Sequence, residues 1–423
     1  MEGHTLDLAS IRAQFPALRE TDEQGQPYVY LDGPAGSQVP QAVITTMVDY
    51  LTRANANVGG RFVTSRRNDE IIAQARLAMA DFLNASSPDE IIFGANMTTL
   101  TYSLSRAIAR NLKPGDEIVI TRMDHDGNVS PWLALAEQGV NIKRVDFDPE
   151  SFRLDLEHLA SLLSDKTKLV AVGYASNALG TINPIGRIAA LARKVGAWLW
   201  VDAVHYAPHR PIDVQTLDCD FLACSSYKFF GPHVGILWGR LKVLSELPAY
   251  HVLSTRPVPP HKFETGTLNH EGLAGLTAAI DYLAALGRNY GPQFAGELAN
   301  YRGRRRELKQ AMQAVARCEG SLFSYMLAEL QTIPGLTIYG LTDPAEFEER
   351  CPTVSFTKAG FTPQQVATYL GEQGIFVWDG NYAAQSVTER LGLEDSGGMV
   401  RVGLIHYNTP AEVDRLLKAL RAM

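Results

Sequence analysis

From residue 90 onward the chain alternates short apolar runs with runs of helical period, and no other feature limits its fold so strongly. Apolar runs at 90–93, 116–121, 142–147, 168–174, 198–201 and 221–224 read as strands, with another at 235–238. Between them, 98–111, 131–138, 156–163 and 185–195 read as helices. A strand followed by a helix and then another strand makes a right-handed crossover, so the succession predicts a mainly parallel sheet with helices on both faces. Ligands of such sheets gather at the carboxyl ends of the strands. The residues that follow each run are therefore the ones to inspect.

The flanking segments read differently. Residues 7–19 carry apolar positions at helical spacing, 29–31 is a short strand, and 32–37 is a glycine-containing turn. Helices are expected at 40–52 and 69–84, with a loop at 55–64. Past residue 290, a charged helical stretch runs to 331. Strands at 353–356 and 375–378 then flank a helix at 363–372, before a strand at 400–404 and a closing helix at 410–423. This predicts a large domain over 20–290 and a small α+β domain built from 1–19 and 291–423.

A net charge of −7 argues against a nucleic-acid partner, which calls for a basic patch. Residues 1–17 lack a long apolar block, so neither a signal peptide nor a membrane anchor is expected there. The four cysteines, Cys219, Cys224, Cys318 and Cys351, lack metal-type spacing and fit a reducing, cytoplasmic location.

Lys228 is the most unusual of the strand-end residues. It lies in Ser225-Ser226-Tyr227-Lys228-Phe229-Phe230-Gly231, between two apolar runs. A lysine kept from water has a lowered pKa, and its neutral amine can attack a carbonyl and form a Schiff base. The alternative is a lysine that snorkels to the surface from a strand end. After 90–93 comes Gly94-Ala95-Asn96-Met97-Thr98-Thr99, a helix start that reads as an anion site or as a plain threonine cap. After 116–121, His125 between Asp124 and Asp126 reads as a base, a flat stacking surface or a surface turn; it is weak as a metal site. Asn177 follows 168–174, as an amide donor or an Asx-turn, and Asp202 with His205 follows 198–201. Together these residues make an anion cradle, a flat ring, an amide, a carboxylate and a lysine on one sheet edge. Pyridoxal 5′-phosphate (PLP) needs this set: a cradle for its phosphate, a lysine for its aldehyde, and a carboxylate to keep its ring nitrogen protonated.

With these motifs the chain resembles the class V aminotransferase family of fold-type I PLP enzymes, and within it the cysteine desulfurase-like branch. The resemblance runs from Tyr30-Leu31-Asp32 to Val400-Arg401 and Tyr407-Asn408-Thr409. It implies a seven-stranded-type sheet between helices in the large domain. By it Lys228 is the Schiff-base lysine, Asp202 pairs with the ring nitrogen, His125 stacks on the ring, and Asn177 bonds the ring hydroxyl oxygen. Thr98, Thr99, Ser225, Tyr227 and His205 join the cofactor set. Thr267, in Phe263-Glu264-Thr265-Gly266-Thr267, reaches a phosphate in the other subunit, which implies a homodimer with shared sites. Arg401 grips the substrate α-carboxylate, and Asn381 joins it in binding substrate.

Three positions depart from that branch. The loop position of its persulfide cysteine falls at about Ala383, its glutamine after the aspartate is His205, and its histidine before the lysine is Tyr227. The expectation is therefore a lyase that cleaves C–S or another Cβ bond of an α-amino acid without a persulfide cysteine. An aminotransferase or an epimerase is the alternative, and a non-catalytic binding descendant is disfavoured by the intact Lys228, Asp202 and Arg401. Arg66 and Arg67 read as contacts to an acidic side chain or as a solvated helix face.

Overall fold

A computed structural model describes residues 6–423. The expectation for the segment before residue 6, that no leader or anchor lies there, falls outside the described residues. The strand-helix alternation folds into one seven-stranded sheet. Its spatial order is Ile91–Gly94, Gly235–Gly239, Phe221–Ser225, Trp198–Asp202, Thr167–Gly173, Glu117–Thr121 and Asn141–Val145. All strands run parallel except Gly235–Gly239, which is antiparallel to both of its neighbours.

The central strands are apolar throughout because helices cover both faces. Alternate residues serve opposite cores. Val170, Val172, Leu199 and Val201 pack on one side. Leu169, Ala171 and Trp200 pack on the other, with Trp132 edge-on to Trp200 at 5.2 Å. Parallel pairing in register then brings the strand ends together. Gly173 lies opposite Asp202, Asp202 opposite Ala223, and Gly235 opposite both Ser225 and Gly94.

A second, antiparallel sheet of four strands has the order Leu336–Tyr339, Thr353–Lys358, Met399–Gly403 and Trp378–Gly380. It faces the carboxyl edge of the large sheet. Ser355 Oγ donates to Ala178 O at 2.6 Å, and Arg350 Nη2 donates to Leu179 O at 3.2 Å.

Several expected elements differ. The helix read over 7–19 is a short helix Leu8–Arg12 and a 3-10 turn Pro16–Arg19, because proline at 16 cannot continue the ladder. The loop read over 55–64 ends early, since the next helix is Val63–Leu83 and carries Arg66 and Arg67. The charged stretch read over 290–331 is interrupted: His270–Tyr290 stops at Gly291, and Gly303–Gln331 is a separate helix. The strand read over 375–378 divides between two sheets. Ile375–Phe376 pairs with Val29–Tyr30, while Trp378–Gly380 joins the four-stranded sheet. Leu336–Tyr339, too short to show a period, is an additional strand. Among the described residues no helix is long and apolar enough to cross a membrane.

Candidate active site

A cavity of about 700 Å³ opens at the carboxyl edge of the large sheet, facing the small one. Thr98, Thr99, His125, Asn177, Asp202, His205, Ser225, Tyr227, Lys228 and Arg401 all line it.

The helix Met97–Ala109 points its first turn at this space. Asn96 caps it, accepting from Thr99 N at 2.9 Å, and the Thr99 hydroxyl is spent within the same capping box. Ser225 Oγ accepts from Met97 N at 3.0 Å and so ties the helix start to the strand end. Close approach is possible because residue 235 is glycine. A Cβ there would fall 2.4 Å from the Asn96 carbonyl carbon.

Lys228 follows the strand Phe221–Ser225 in a 3-10 turn. Its Nζ donates to Pro34 O at 2.5 Å and Ala35 O at 2.9 Å. Burial, with Arg401 nearby, holds its pKa down to about 7, against the opposing pull of Asp202 and Asp32. The Asp202 carboxyl accepts from Val204 N at 2.9 Å and forms no ion pair among the described residues. Burial raises it to about 7, assisted by the Asp124 carboxyl.

His125 Nδ1 accepts from Gly127 N at 2.9 Å, which places the ring proton on Nε2. Burial, then Lys228 and Arg401, lower its pKa to about 4, so it is a neutral flat ring. His205 meets Thr353 Oγ1 at 3.1 Å through Nε2, and burial keeps it uncharged as well. Asn177 donates to Tyr382 O at 2.9 Å, while its Oδ1 is buried without a partner. Arg401 donates to Asn177 O at 2.8 Å and lies 4.3 Å from the Tyr382 ring centre. Its Nε is buried and unpartnered. Burial lowers it only to about 10, so it stays cationic at neutral pH.

Two expected residues lie elsewhere. Asn381 does not line the cavity. Its amide donates to Glu394 at 2.9 Å and its Oδ1 accepts from Ala383 N at 3.1 Å, fastening a turn in which Tyr382 and Ala383 take φ of 56° and 55°. That turn is fastened to the loop after His125, with Asp126 N donating to Ala383 O at 2.6 Å. Thr267 is exposed, outside its own protomer's cavity. The segment before it is anchored by Glu264, which pairs with Arg76 at 2.5 Å and accepts from Phe93 N at 2.8 Å.

The sequence reading missed four residues. Asp32 is half-buried near Lys228 and Arg401, its Oδ1 buried without a partner, and desolvation raises its pKa to about 6. Its signal was available, since it too follows a short strand. Tyr382, Trp378 and His233 line the cavity but carry no local mark of doing so.

The residues fit pyridoxal phosphate. A buried amide oxygen at Asn177 has no partner, a buried carboxyl at Asp202 has no cation, a helix start opens to the cavity, and the lysine amine is poised near neutrality. A protonated ring nitrogen is the charge that a buried carboxylate needs.

The profile described as aminotransferase class V matches residues 29–305 and 306–416. A probable cysteine desulfurase of Synechocystis sp. is 36% identical over 433 residues, covering 98% of this chain and 95% of the relative. An "Aminotransferase-like protein FGM3" of Gibberella zeae is also 36% identical, over 431 residues and 99% of both chains. Among solved structures, the apo cysteine desulfurase of Thermococcus onnurineus superposes with a TM-score of 0.85 at 26% identity, covering 98% of this chain and 97% of that one. Enzymes of this family use pyridoxal 5′-phosphate. With a match over nearly its whole length, and with the site that such a cofactor requires, the chain belongs to the class V aminotransferase family.

Proposed function

We propose that the protein is a PLP-dependent, cysteine desulfurase-like lyase that breaks a bond at Cβ of an α-amino acid and releases the leaving group free. One observation carries the last clause: none of the four cysteines lines the cavity, and the turn fastened to Asp126 carries Tyr382, which lines it, and Ala383. Cys219, Cys224 and Cys351 are buried, and burial raises each thiol well above its usual pKa, to about 12 for Cys219 and Cys351. A persulfide relay needs an accessible thiolate.

Lys228, Asp202, His125, Asn177 and Ser225 with the helix start would hold the cofactor. Bound there, PLP supplies a sink for the electron pair left at Cα. Asp202 would keep a proton at the ring nitrogen, and neutral His125 would offer the ring a flat surface without adding charge. Arg401 binds the α-carboxylate through its free donors. Lys228, neutral near pH 7, takes the proton from Cα. Tyr227 lies beside it, with Nζ 5.0 Å from the ring centre. Burial raises the Tyr227 pKa, so its phenol keeps a proton to give to the departing group.

The reading extends to a homodimer in which Thr267 of each protomer completes the partner's phosphate site. The exposed 265–267 segment on its Arg76–Glu264 anchor supports it. The division into 20–290 and 1–19 with 291–423 belongs to the same reading, since the cavity lies between the two sheets.

The test is to load purified protein with PLP, follow its absorbance against a panel of amino acids, and identify the products. A ketoacid with ammonia and the free leaving group, with return of the starting spectrum, supports a lyase. Accumulated pyridoxamine phosphate would make it an aminotransferase, and racemised substrate an epimerase. A protein with all four cysteines replaced should still turn over; a folded, PLP-loaded variant that does not would restore the persulfide relay.

A further inference from the structure

Trp378 is an exposed tryptophan with 53% of its surface open to solvent, yet it lines the cavity. Its place follows from sheet register. Trp378 lies directly opposite Arg401 in the antiparallel pair formed by Trp378–Gly380 and Met399–Gly403. Directly opposed residues put their side chains on the same face of a sheet, with Cβ atoms about 5 Å apart. The guanidinium proposed to hold the α-carboxylate therefore has an indole as its neighbour on the cavity side. A second aromatic surface also borders the cavity, where the His233 ring stacks on Tyr227 at 5.0 Å and 21°.

Charge sharpens the inference. Among the described residues, the only lysine or arginine side chains lining the cavity are Lys228 and Arg401. The proposed function already engages both, at the amine and carboxylate of the substrate. Neither Arg66 nor Arg67 lines this cavity; they donate to Arg61 O at 2.6 Å and Arg53 O at 3.0 Å. Within its own protomer, an acidic substrate side chain would thus meet no further lysine or arginine in the cavity. A side chain of one thiol would leave the indole untouched.

We propose that Trp378 selects the substrate: the site takes α-amino acids whose side chain carries a neutral apolar or aromatic group beyond the Cβ substituent, such as an S-aryl or S-benzyl thioether, in preference to cysteine or an acidic amino acid. This rests on the proposed PLP lyase reading. An aromatic group placed on an indole face adds both buried apolar area and ring–ring attraction.

The probes are S-benzylcysteine, S-methylcysteine, cysteine and cysteine sulfinate. Their dissociation constants are measured calorimetrically on PLP-loaded Lys228→Ala protein, which retains the cavity and cannot turn over. Steady-state constants come from the wild-type side chain at 228. S-benzylcysteine should bind about tenfold or more tightly than cysteine, with S-methylcysteine between them and the sulfinate weakest. Trp378→Ala should erase the S-benzyl preference, raising KM for that substrate about tenfold while leaving the cysteine constant within about twofold. Trp378→Phe should keep most of the preference, and Trp378→Arg should turn it toward the sulfinate.

An unchanged S-benzyl to cysteine ratio in Trp378→Ala overturns the assignment while leaving the lyase reading intact. So does a Trp378→Ala protein that loses affinity for every amino acid alike, since the indole would then serve the fold or an interface. If no amino acid binds or alters the cofactor spectrum of the unaltered protein, the lyase reading fails and this inference fails with it.

Discussion

Competitive labelling of the cofactor-free protein with trace acetic anhydride, followed by peptide mass spectrometry, reads the basicity of Lys228 directly. Lys228 is half-buried at the cavity wall, and its amine is held near a pKa of about 7, first by desolvation and then by Arg401. An exposed lysine has a pKa of about 10.4 and is neutral at pH 7 in only about one molecule in 2,500, against about half for Lys228. That is on the order of a thousandfold more reactive form at neutral pH. Labelling of Lys228 should rise about tenfold per unit below pH 7 and level off above it, while surface lysines continue to gain toward pH 10. Arg401→Gln removes the nearby cation and should move the midpoint up. Asp32→Asn removes an opposing carboxylate and should move it down. A Lys228 profile that follows the surface lysines refutes the reasoning, and a midpoint that falls in Arg401→Gln refutes its electrostatic part.

The same Arg401→Gln variant should weaken amino-acid binding by about 2–5 kcal/mol, seen as a raised dissociation constant in calorimetry, because the buried fork proposed for the carboxylate is gone. Asp202→Asn should still take up PLP through Lys228, read by absorbance after borohydride fixation, but lose turnover by on the order of 10²–10³-fold, since an amide cannot stabilise a protonated ring nitrogen. Arg76→Met should cost about 3–5 kcal/mol in urea unfolding, because Glu264 would be buried without its cation at a pair now 2.5 Å apart. Arg76→Met with Glu264→Leu should recover much of that loss, and a double variant as unstable as the single one would contradict the explanation.

Most of the large sheet could be read from local pattern, because a strand covered on both faces must be apolar along its length and a crossover helix must carry a helical period. That is why Asp202, Asn177, His125 and Lys228 could be found as residues just past such runs, and why their nearness followed from the rule for parallel sheets. The N-terminal and C-terminal elements were less legible. The break at Pro16 was visible in principle, but the division of 375–378 was not: Ile375–Phe376 and Trp378–Gly380 belong to different sheets because their partners, Val29–Tyr30 and Met399–Gly403, lie far away in the chain. Non-local pairing also decided what the site contains beyond the cofactor set. Register alone puts Trp378 beside Arg401. The left-handed turn at Tyr382 and Ala383 withdraws Asn381 from the cavity. Asp32 acquires its raised pKa from burial within the folded protein, near charges at residues 228 and 401. Local periodicity records which face of an element is apolar; it does not record which distant element will cover that face, and at this cavity the covering residues come from the other sheet.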